Sequence, residues 1–252
     1  MEFTERVIIL QVGKFKEADL WVRFLSPSRG MVSAFAFGGS RSRRRFMGCL
    51  DVFNEISVRV ATSSRSSYLA LQEGVLIKGL ERLRSDWSRF GMAVNCARFL
   101  QSFGIGPEGA NTALELMREL LFLLEHAEVV PALLPVFFRI RLAYDHGYAL
   151  QSNSCSFCGK VLKTPENSAA RLVLQEGRIA CVACAGKRGG PQLPLCTGAL
   201  EILEYITQYG PSMWTVLPER NSQASRELSR AVDGFIQYHV GIIWDKGRFV
   251  RQ

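Results

Sequence analysis

The sequence has little of what a secreted or membrane protein needs. Its most apolar stretch, Val129–Phe138, contains two prolines and stops at Arg139, far short of the ~20 apolar residues of a membrane span. The first 12 residues carry two glutamates and one arginine, unlike a basic secretory signal, and no Asn-x-Ser/Thr sequon occurs. We therefore expect a soluble, cytoplasmic protein with no membrane partner.

Sequence signatures of catalysis are also lacking. The chain has no Gly-x-x-x-x-Gly-Lys-Ser/Thr loop, no His-Glu-x-x-His and no Gly-x-Ser-x-Gly. The segment from Gly104 to Gly109 matches a dinucleotide-binding pattern, but it follows a helical stretch and contains Pro107, so we interpret it as a loop between helices. Acidic residues do not cluster as a nuclease metal site requires. We therefore expect no catalytic residues and a protein that is not an enzyme.

The charge that is present is mainly positive. The 252 residues include 31 Lys and Arg against 23 Asp and Glu, which gives a net charge of +8 and a pI near 9.3. This balance favours polyanionic partners, chiefly nucleic acid. The length predicts one or two domains.

The first 78 residues have the pattern of β-structure. Five segments rich in Val, Ile, Leu, Phe and Trp are separated by turn-forming residues. They span Arg6–Val12, Ala18–Leu25, Met31–Phe37, Phe53–Val60 and Tyr68–Ile77. Five short strands in this length predict a small barrel, and the OB-fold is a five-stranded example.

After Lys78 the apolar period changes from two to about 3.6, which is typical of helices. The stretch Leu133–Tyr144 is apolar on more than one side, so we expect it to be the most buried helix. A last helix is predicted through Leu228, Val232, Phe235, His239 and Ile242.

Four of the seven cysteines form two Cys-x-x-Cys pairs, namely Cys155, Cys158, Cys181 and Cys184. Together the pairs can supply the closed tetrahedral shell of one structural zinc ion. The alternatives are four buried free thiols, which the paired spacing disfavours, and a redox pair, which the lack of a βαβ pattern disfavours. The isolated Cys49, Cys96 and Cys196 are interpreted as small buried apolar residues.

These patterns predict an α+β protein of several domains. An N-terminal five-stranded OB-fold barrel is expected at residues 1–78, and a helical domain at residues 79–150 and 191–252. A four-cysteine zinc finger is expected at residues 151–190, between the two helical parts.

A glycine-flanked segment, Gly38–Gly48, carries the four arginines Arg41, Arg43, Arg44 and Arg45. We expect a mobile loop whose guanidinium groups pair with phosphates, because loops of five-stranded barrels bind oligonucleotides. A merely solvated loop is the alternative. Further candidate DNA contacts are Lys14, Lys16, Arg23 and Arg29. Nearby aromatic residues could offer stacking surfaces, although several of them also suit a core. They are Trp21, Phe35, Phe37, Phe46 and Tyr68.

Several short motifs, in order along nearly the whole chain, resemble the RecO family of recombination mediators. They include Ser26-Pro27-x-x-Gly30-x-Val32, Gly38-Gly39-Ser40-Arg41 with Leu50-x-x-Phe53, and Gly147-Tyr148 before Cys155. The resemblance implies an OB-fold, a helical domain with an inserted zinc site, binding of single- and double-stranded DNA and annealing of complementary strands. It also implies bacterial recombinational repair at the nucleoid with RecR, with the single-stranded-DNA-binding protein SSB and, indirectly, with RecA.

A separate hypothesis concerns Arg139 and Arg141 on the predicted helix Leu133–Tyr144. These cations beside apolar residues could hold the acidic-aromatic C-terminal tail of SSB, and intramolecular ion pairing is the alternative. Two other functions stay open. One is a zinc-ribbon transcription or translation factor that binds structured RNA, and the other is a metal-dependent nuclease with scattered carboxylates.

Overall fold

The computed structural model describes residues 2–62, 68–163, 169–217 and 222–252. Its contacts divide the chain into two compact units. We call residues 1–91 and 104–126 the barrel unit, and residues 92–103 and 127–252 the helical unit. These bounds differ from the division at residue 78 that we drew on the sequence, because residues 79–91 and 104–126 group with the strands.

Five strands in the barrel unit confirm the predicted β-structure. They are β1 (Glu2–Lys14), β2 (Leu20–Ser26), β3 (Gly30–Ala36), β4 (Glu55–Thr62) and β5 (Leu69–Lys78). Their order is β1-β2-β3-β5-β4, and the pairing closes into a barrel. The first strand is longer than predicted because its first half pairs with β4 and its second half with β2.

The closure between β3 and β5 is the weakest seam of the barrel, with a single pair of aligned residues, Phe35 and Ala70. The connection from β3 to β4 crosses beside this seam. It buries Phe46 and Cys49 in the barrel core, and the carbonyl of Arg45 accepts a hydrogen bond from the N–H of Gly74 on β5 (2.8 Å). The second half of the arginine-rich segment is therefore anchored to the barrel.

The close fit at this seam leaves no room for another atom. A Cβ added to Gly74 would lie 2.9 Å from the sulfur of Cys49, closer than van der Waals contact allows. Burial also raises the pKa of the Cys49 thiol, so this cysteine behaves as the apolar core residue that the sequence predicted.

Helices complete the barrel unit. They are α1 (Glu81–Ser85), the first part of α2 (Trp87–Phe103) and α3 (Ala110–His126). Helix α3 contacts β1, β2 and β3, and its Arg118 donates to Glu55 at the start of β4 (2.8 Å). The segment between α2 and α3 is the expected interhelical loop, with a short 3-10 turn at Pro107–Gly109.

The helical unit contains the rest of α2 and four more helices, α4 (Leu134–Asp145), α5 (Val182–Ala185), α6 (Thr197–Gln208) and α7 (Ser222–Phe235). Eight of the 12 residues of α4 are buried, in line with the heavy burial predicted for this stretch. A three-stranded sheet is formed by β6 (Ala169–Val173), β7 (Arg178–Cys181) and β8 (Gln192–Cys196).

The predicted last helix is wrong at its end. Helix α7 passes into a π-helical turn, Ile236–Val240, and Gly241 stops it with a left-handed backbone (φ 71°). A hairpin of β9 (Ile242–Asp245) and β10 (Arg248–Arg251) follows, so Ile242 lies on a strand. The predicted helix was too long because the spacing of apolar residues does not show where a glycine ends a helix. Among the described helices, none has the length and apolarity to cross a membrane.

Replacing Phe46 by Ala should lower the free energy of unfolding of the barrel unit by about 3–5 kcal/mol, because the ring is lost from a closed core. Urea unfolding measures this. The neighbouring Met47 is 74% exposed, so Met47→Ala is the matched control and should change stability by less than about 0.5 kcal/mol. Equal stability of the two variants would show that the loop is not anchored through Phe46.

Candidate metal centre and nucleic-acid interface

The four paired cysteines come together as predicted. The sulfur atoms of Cys155, Cys158, Cys181 and Cys184 all lie within 4.8 Å of one another. Those of Cys158 and Cys181 are 3.9 Å apart, close to the about 3.8 Å that a tetrahedral site with bonds of about 2.3 Å requires. The pattern in sequence therefore predicted a real cluster in space.

Local backbone geometry holds the cysteine cluster. Cys155 and Cys158 lie on a tight turn in which Gly159 adopts φ 72° and donates its N–H to the carbonyl of Cys155 (2.9 Å). Cys181 ends β7, and Cys184 lies in α5. A left-handed residue is needed at position 159, and glycine is the residue that adopts it without a steric penalty.

The electrostatics of the cluster suit a cation. Burial raises the pKa of the Cys155 thiol, but N–H groups of Cys181, Phe157 and Cys158 outweigh it and bring this pKa to about 6. In contrast, hydrogen bonds with the thiols of Cys158 and Cys181 raise the pKa of Cys184 to about 12. Four thiolates this close repel one another, so a divalent ion among them would relieve that repulsion. The donor set therefore fits a metal ion.

We call the segment Gly38–Gly48 the arginine loop. It presents all four of its predicted contact residues to solvent, namely Arg41, Arg43, Arg44 and Arg45. Arg43 and Arg44 form no ion pair or hydrogen bond with the described residues. Arg41 lies 3.8 Å from Glu17 in an exposed ion pair, and Arg45 donates to the carbonyl of Phe37 (2.6 Å). Exposed pairs of this kind are weak, so Arg41 can exchange Glu17 for a phosphate.

The turn between β1 and β2 is bound to the same loop. The N–H of Ser40 donates to the carbonyl of Ala18 (3.1 Å), and the N–H of Gly38 donates to the carboxylate of Asp19 (2.8 Å). Of the predicted contacts, Lys14 ends β1 and Lys16 lies in this turn, and both are exposed. The fold thus places two lysines at the end of the barrel where the arginine loop begins. We call Lys14, Lys16, Arg41, Arg43, Arg44 and Arg45 the cationic end.

The other two predicted contacts lie elsewhere. Arg29 is in the turn between β2 and β3, roughly 20 Å along the hairpin from the cationic end. It packs over the ring of Phe3 (4.1 Å) and lies 3.8 Å from Glu5. Arg23 is in the middle of β2, where it donates to Ser33 (3.1 Å). The structure therefore does not bring Arg29 into the cationic end.

Aromatic rings gather beside the cationic end. The ring of Phe35 lies 4.7 Å from that of Phe15, 6.0 Å from that of Phe37 and 5.4 Å from that of Tyr68. Sequence analysis named three of these four but missed Phe15, although its place between two lysines in a turn could have revealed it. Phe46 belongs to the barrel core instead.

The two arginines of α4 have different surroundings. Arg141 donates to Asp145 (2.8 Å) and to two main-chain carbonyls. Arg139 pairs with Asp233 (2.8 Å) and lines a cavity of about 450 Å³ together with Trp244 and Phe249. Among the described residues, nothing accepts a hydrogen bond from its buried Nε.

Comparison with known proteins finds relatives of the whole chain. Residues 1–80 match the family model described as the N-terminal part of recombination protein O, and residues 84–248 match the C-terminal part. A protein of Oleidesulfovibrio alaskensis named DNA repair protein RecO is 49% identical, and both chains are covered completely. A protein of the same name from Nitratidesulfovibrio vulgaris is 47% identical over all of both chains.

A more distant relative, also named DNA repair protein RecO, comes from Anaeromyxobacter dehalogenans. It is 29% identical over 93% of this chain and 90% of its own length. The two family models together span nearly every residue, from the first strand to β10. The chain therefore belongs to the RecO family of bacterial DNA repair and recombination proteins.

Proposed function

We propose that this protein is a recombination mediator that binds single- and double-stranded DNA and anneals complementary strands. With RecR, it helps RecA to load onto single strands coated by SSB. The observation that carries the proposal is the cationic end, where two lysines and four arginines converge from separate segments of the barrel unit. We place its work at the nucleoid, in the bacterial cytoplasm.

The closed strand order β1-β2-β3-β5-β4 supports an OB-fold for the barrel. OB-folds bind oligonucleotides with the face of their second and third strands and with loops that include the one between the first and second strands. Here the turn between β1 and β2 and the loop after β3 form the cationic end. Annealing then needs no catalytic group, because cations that screen the repulsion between two phosphate backbones lower the barrier to pairing. The proposed protein is accordingly not an enzyme.

We propose zinc as the ion of the cysteine cluster. Two Cys-x-x-Cys pairs with all sulfur atoms within 4.8 Å match the four-cysteine sites that zinc occupies in proteins. Four protein ligands leave no open coordination position, so the ion would supply folding stability and no chemistry. It would tie the turn that carries Cys155 and Cys158 to the end of β7 and to α5.

Arg139 is a better candidate than Arg141 for the SSB tail. Its Nε has no partner among the described residues, and the adjoining cavity also has the aromatic residues Trp244 and Phe249 in its wall. An acidic-aromatic peptide could place a carboxylate on Arg139 and a ring in the cavity. The partner of Arg139, Asp233, is exposed, whereas Arg141 is held by the largely buried Asp145 and by two carbonyls.

The Arg43→Ala, Arg44→Ala variant should bind single-stranded DNA more weakly and with a shallower salt dependence. Each phosphate contact contributes about 0.7 to the log–log slope on single strands, so the slope should fall in magnitude by about 1.4. Fluorescence anisotropy over a salt series measures it. The double variant Arg248→Ala, Arg251→Ala is the control. It removes the same amount of charge from β10 and should leave the slope unchanged.

An unchanged slope in the Arg43→Ala, Arg44→Ala variant would contradict the role of the loop. Tighter binding of duplex RNA than of single-stranded DNA, measured by competition, would favour the zinc-ribbon RNA-binding alternative.

The purified protein should contain about one zinc ion per chain, and Cys158→Ser, Cys184→Ser should abolish this content. Because metal binding is coupled to folding, the helical unit of that variant should unfold at lower temperature. Elemental analysis and calorimetry provide the two measurements. Cys196 is outside the cluster, so Cys196→Ser is the control that retains zinc. If the wild-type protein contains no metal and melts at the same temperature as Cys158→Ser, Cys184→Ser, the proposed site is excluded.

Arg139→Lys should weaken binding of a peptide with the sequence of the SSB tail by about tenfold, because a lysine cannot present the planar guanidinium fork. Peptide titration by calorimetry gives the affinity. Arg141→Lys serves as the comparison and should change it little. If both variants bind the peptide as the wild type does, α4 is not the docking site.

A further inference from the structure

Four aromatic side chains form a continuous patch on the outside of the barrel. We call Phe15, Phe35, Phe37 and Tyr68 the aromatic patch. Phe35 is at its centre and touches each of the other three rings. The other three side chains are exposed to solvent, Phe15 at 50%, Phe37 at 42% and Tyr68 at 57%. Exposed rings in mutual contact cost hydration free energy, so they point to a surface that binds something.

The register of β3 places two of these rings, Phe35 and Phe37, on the outside. Val32, Ala34 and Ala36 are buried in the barrel core, so the alternate residues face the outside. Phe35 is one of these, and Phe37 continues the same alternation past the end of the strand. Cross-strand pairing sets Phe35 directly opposite Trp21 on β2. The barrel register therefore places Phe35 and Phe37 outside the core, and the core-facing positions of β3 are filled by Val32, Ala34 and Ala36 instead.

The chemistry around the aromatic patch identifies its ligand. The ammonium of Lys16 lies 5.7 Å from the centre of the Phe15 ring. The guanidinium of Arg45 is bound to the carbonyl of Phe37 (2.6 Å), and the main chain of Ser40 is tied to that of Ala18. Flat apolar faces bordered by cations complement nucleotides, whose bases are flat and apolar and whose phosphates are anionic.

We propose that the aromatic patch stacks unpaired bases, so that the cationic end holds a single strand more tightly than phosphate contacts alone allow. The inference rests on the DNA binding proposed above. In a duplex the faces of the bases are already stacked on one another, and the rings cannot reach them. The patch thus favours unpaired DNA, and a strand that pairs with its complement leaves the rings while its phosphates stay near the cations.

Three ligands separate stacking from phosphate contact. They are an oligothymidylate, an abasic strand with the same number of phosphates, and a hairpin duplex. The wild-type protein should bind the oligothymidylate more tightly than the abasic strand. In Phe37→Leu, Tyr68→Leu, the affinity for oligothymidylate should fall by about tenfold or more, while the affinities for the other two ligands and all salt slopes stay unchanged.

Phe122→Leu is the matched control, because Phe122 is also 50% exposed and belongs to the barrel unit. It should bind all three ligands as the wild type does. A strand that carries 2-aminopurine adds a direct readout with the wild-type protein, since stacking on a ring changes the fluorescence of that base and phosphate contact alone does not.

Equal affinity of the wild type for the abasic strand and the oligothymidylate overturns the stacking inference. So does an equal loss of affinity for all three ligands in Phe37→Leu, Tyr68→Leu. Neither result touches the proposed DNA binding, which depends on the salt slope of Arg43→Ala, Arg44→Ala. If the wild type binds none of the three ligands at low salt, the proposed function itself fails.

Discussion

The burial of Phe46 and Cys49 in the barrel core is the interaction on which the cationic end depends. A five-stranded barrel with one aligned pair between β3 and β5 has a weak seam, and the connection after β3 passes beside it. Those two side chains point inward and the carbonyl of Arg45 is bound to β5, and the arginines that precede Phe46 face solvent. Apolar burial thus holds a set of like charges at one place despite their mutual repulsion.

A related balance of forces governs the cysteine cluster. Burial and hydrogen bonds between thiols oppose ionisation, and main-chain N–H groups favour it at Cys155. The tight turn at Gly159 and the end of β7 bring the sulfur atoms together regardless of their mutual repulsion. In both regions, ordinary main-chain and apolar contacts hold like-charged groups close enough for a ligand of opposite charge to bridge them.

Much of the candidate site could be predicted from the sequence. The run from Arg41 to Arg45 indicated one basic loop and each Cys-x-x-Cys indicated a pair of thiols, because residues close in sequence stay close in space. The two pairs indicated one cluster because a structural zinc ion takes four ligands. Arg29 shows the limit of such reasoning. It is nearer in sequence to Arg41 than Lys14 is, yet the β2–β3 hairpin carries it to the opposite end of the strands.

The sequence by itself determined the family, the five strands, the paired thiols and the excess of positive charge, since each depends on local pattern or on composition. Only the tertiary structure decided that Lys14 and Lys16 join the arginine loop, and that Phe46 is a core residue while Phe15 is part of an exposed patch. The physical reason is that strand register and barrel closure decide which face a side chain occupies. Neither can be read from residues that are neighbours in the chain alone.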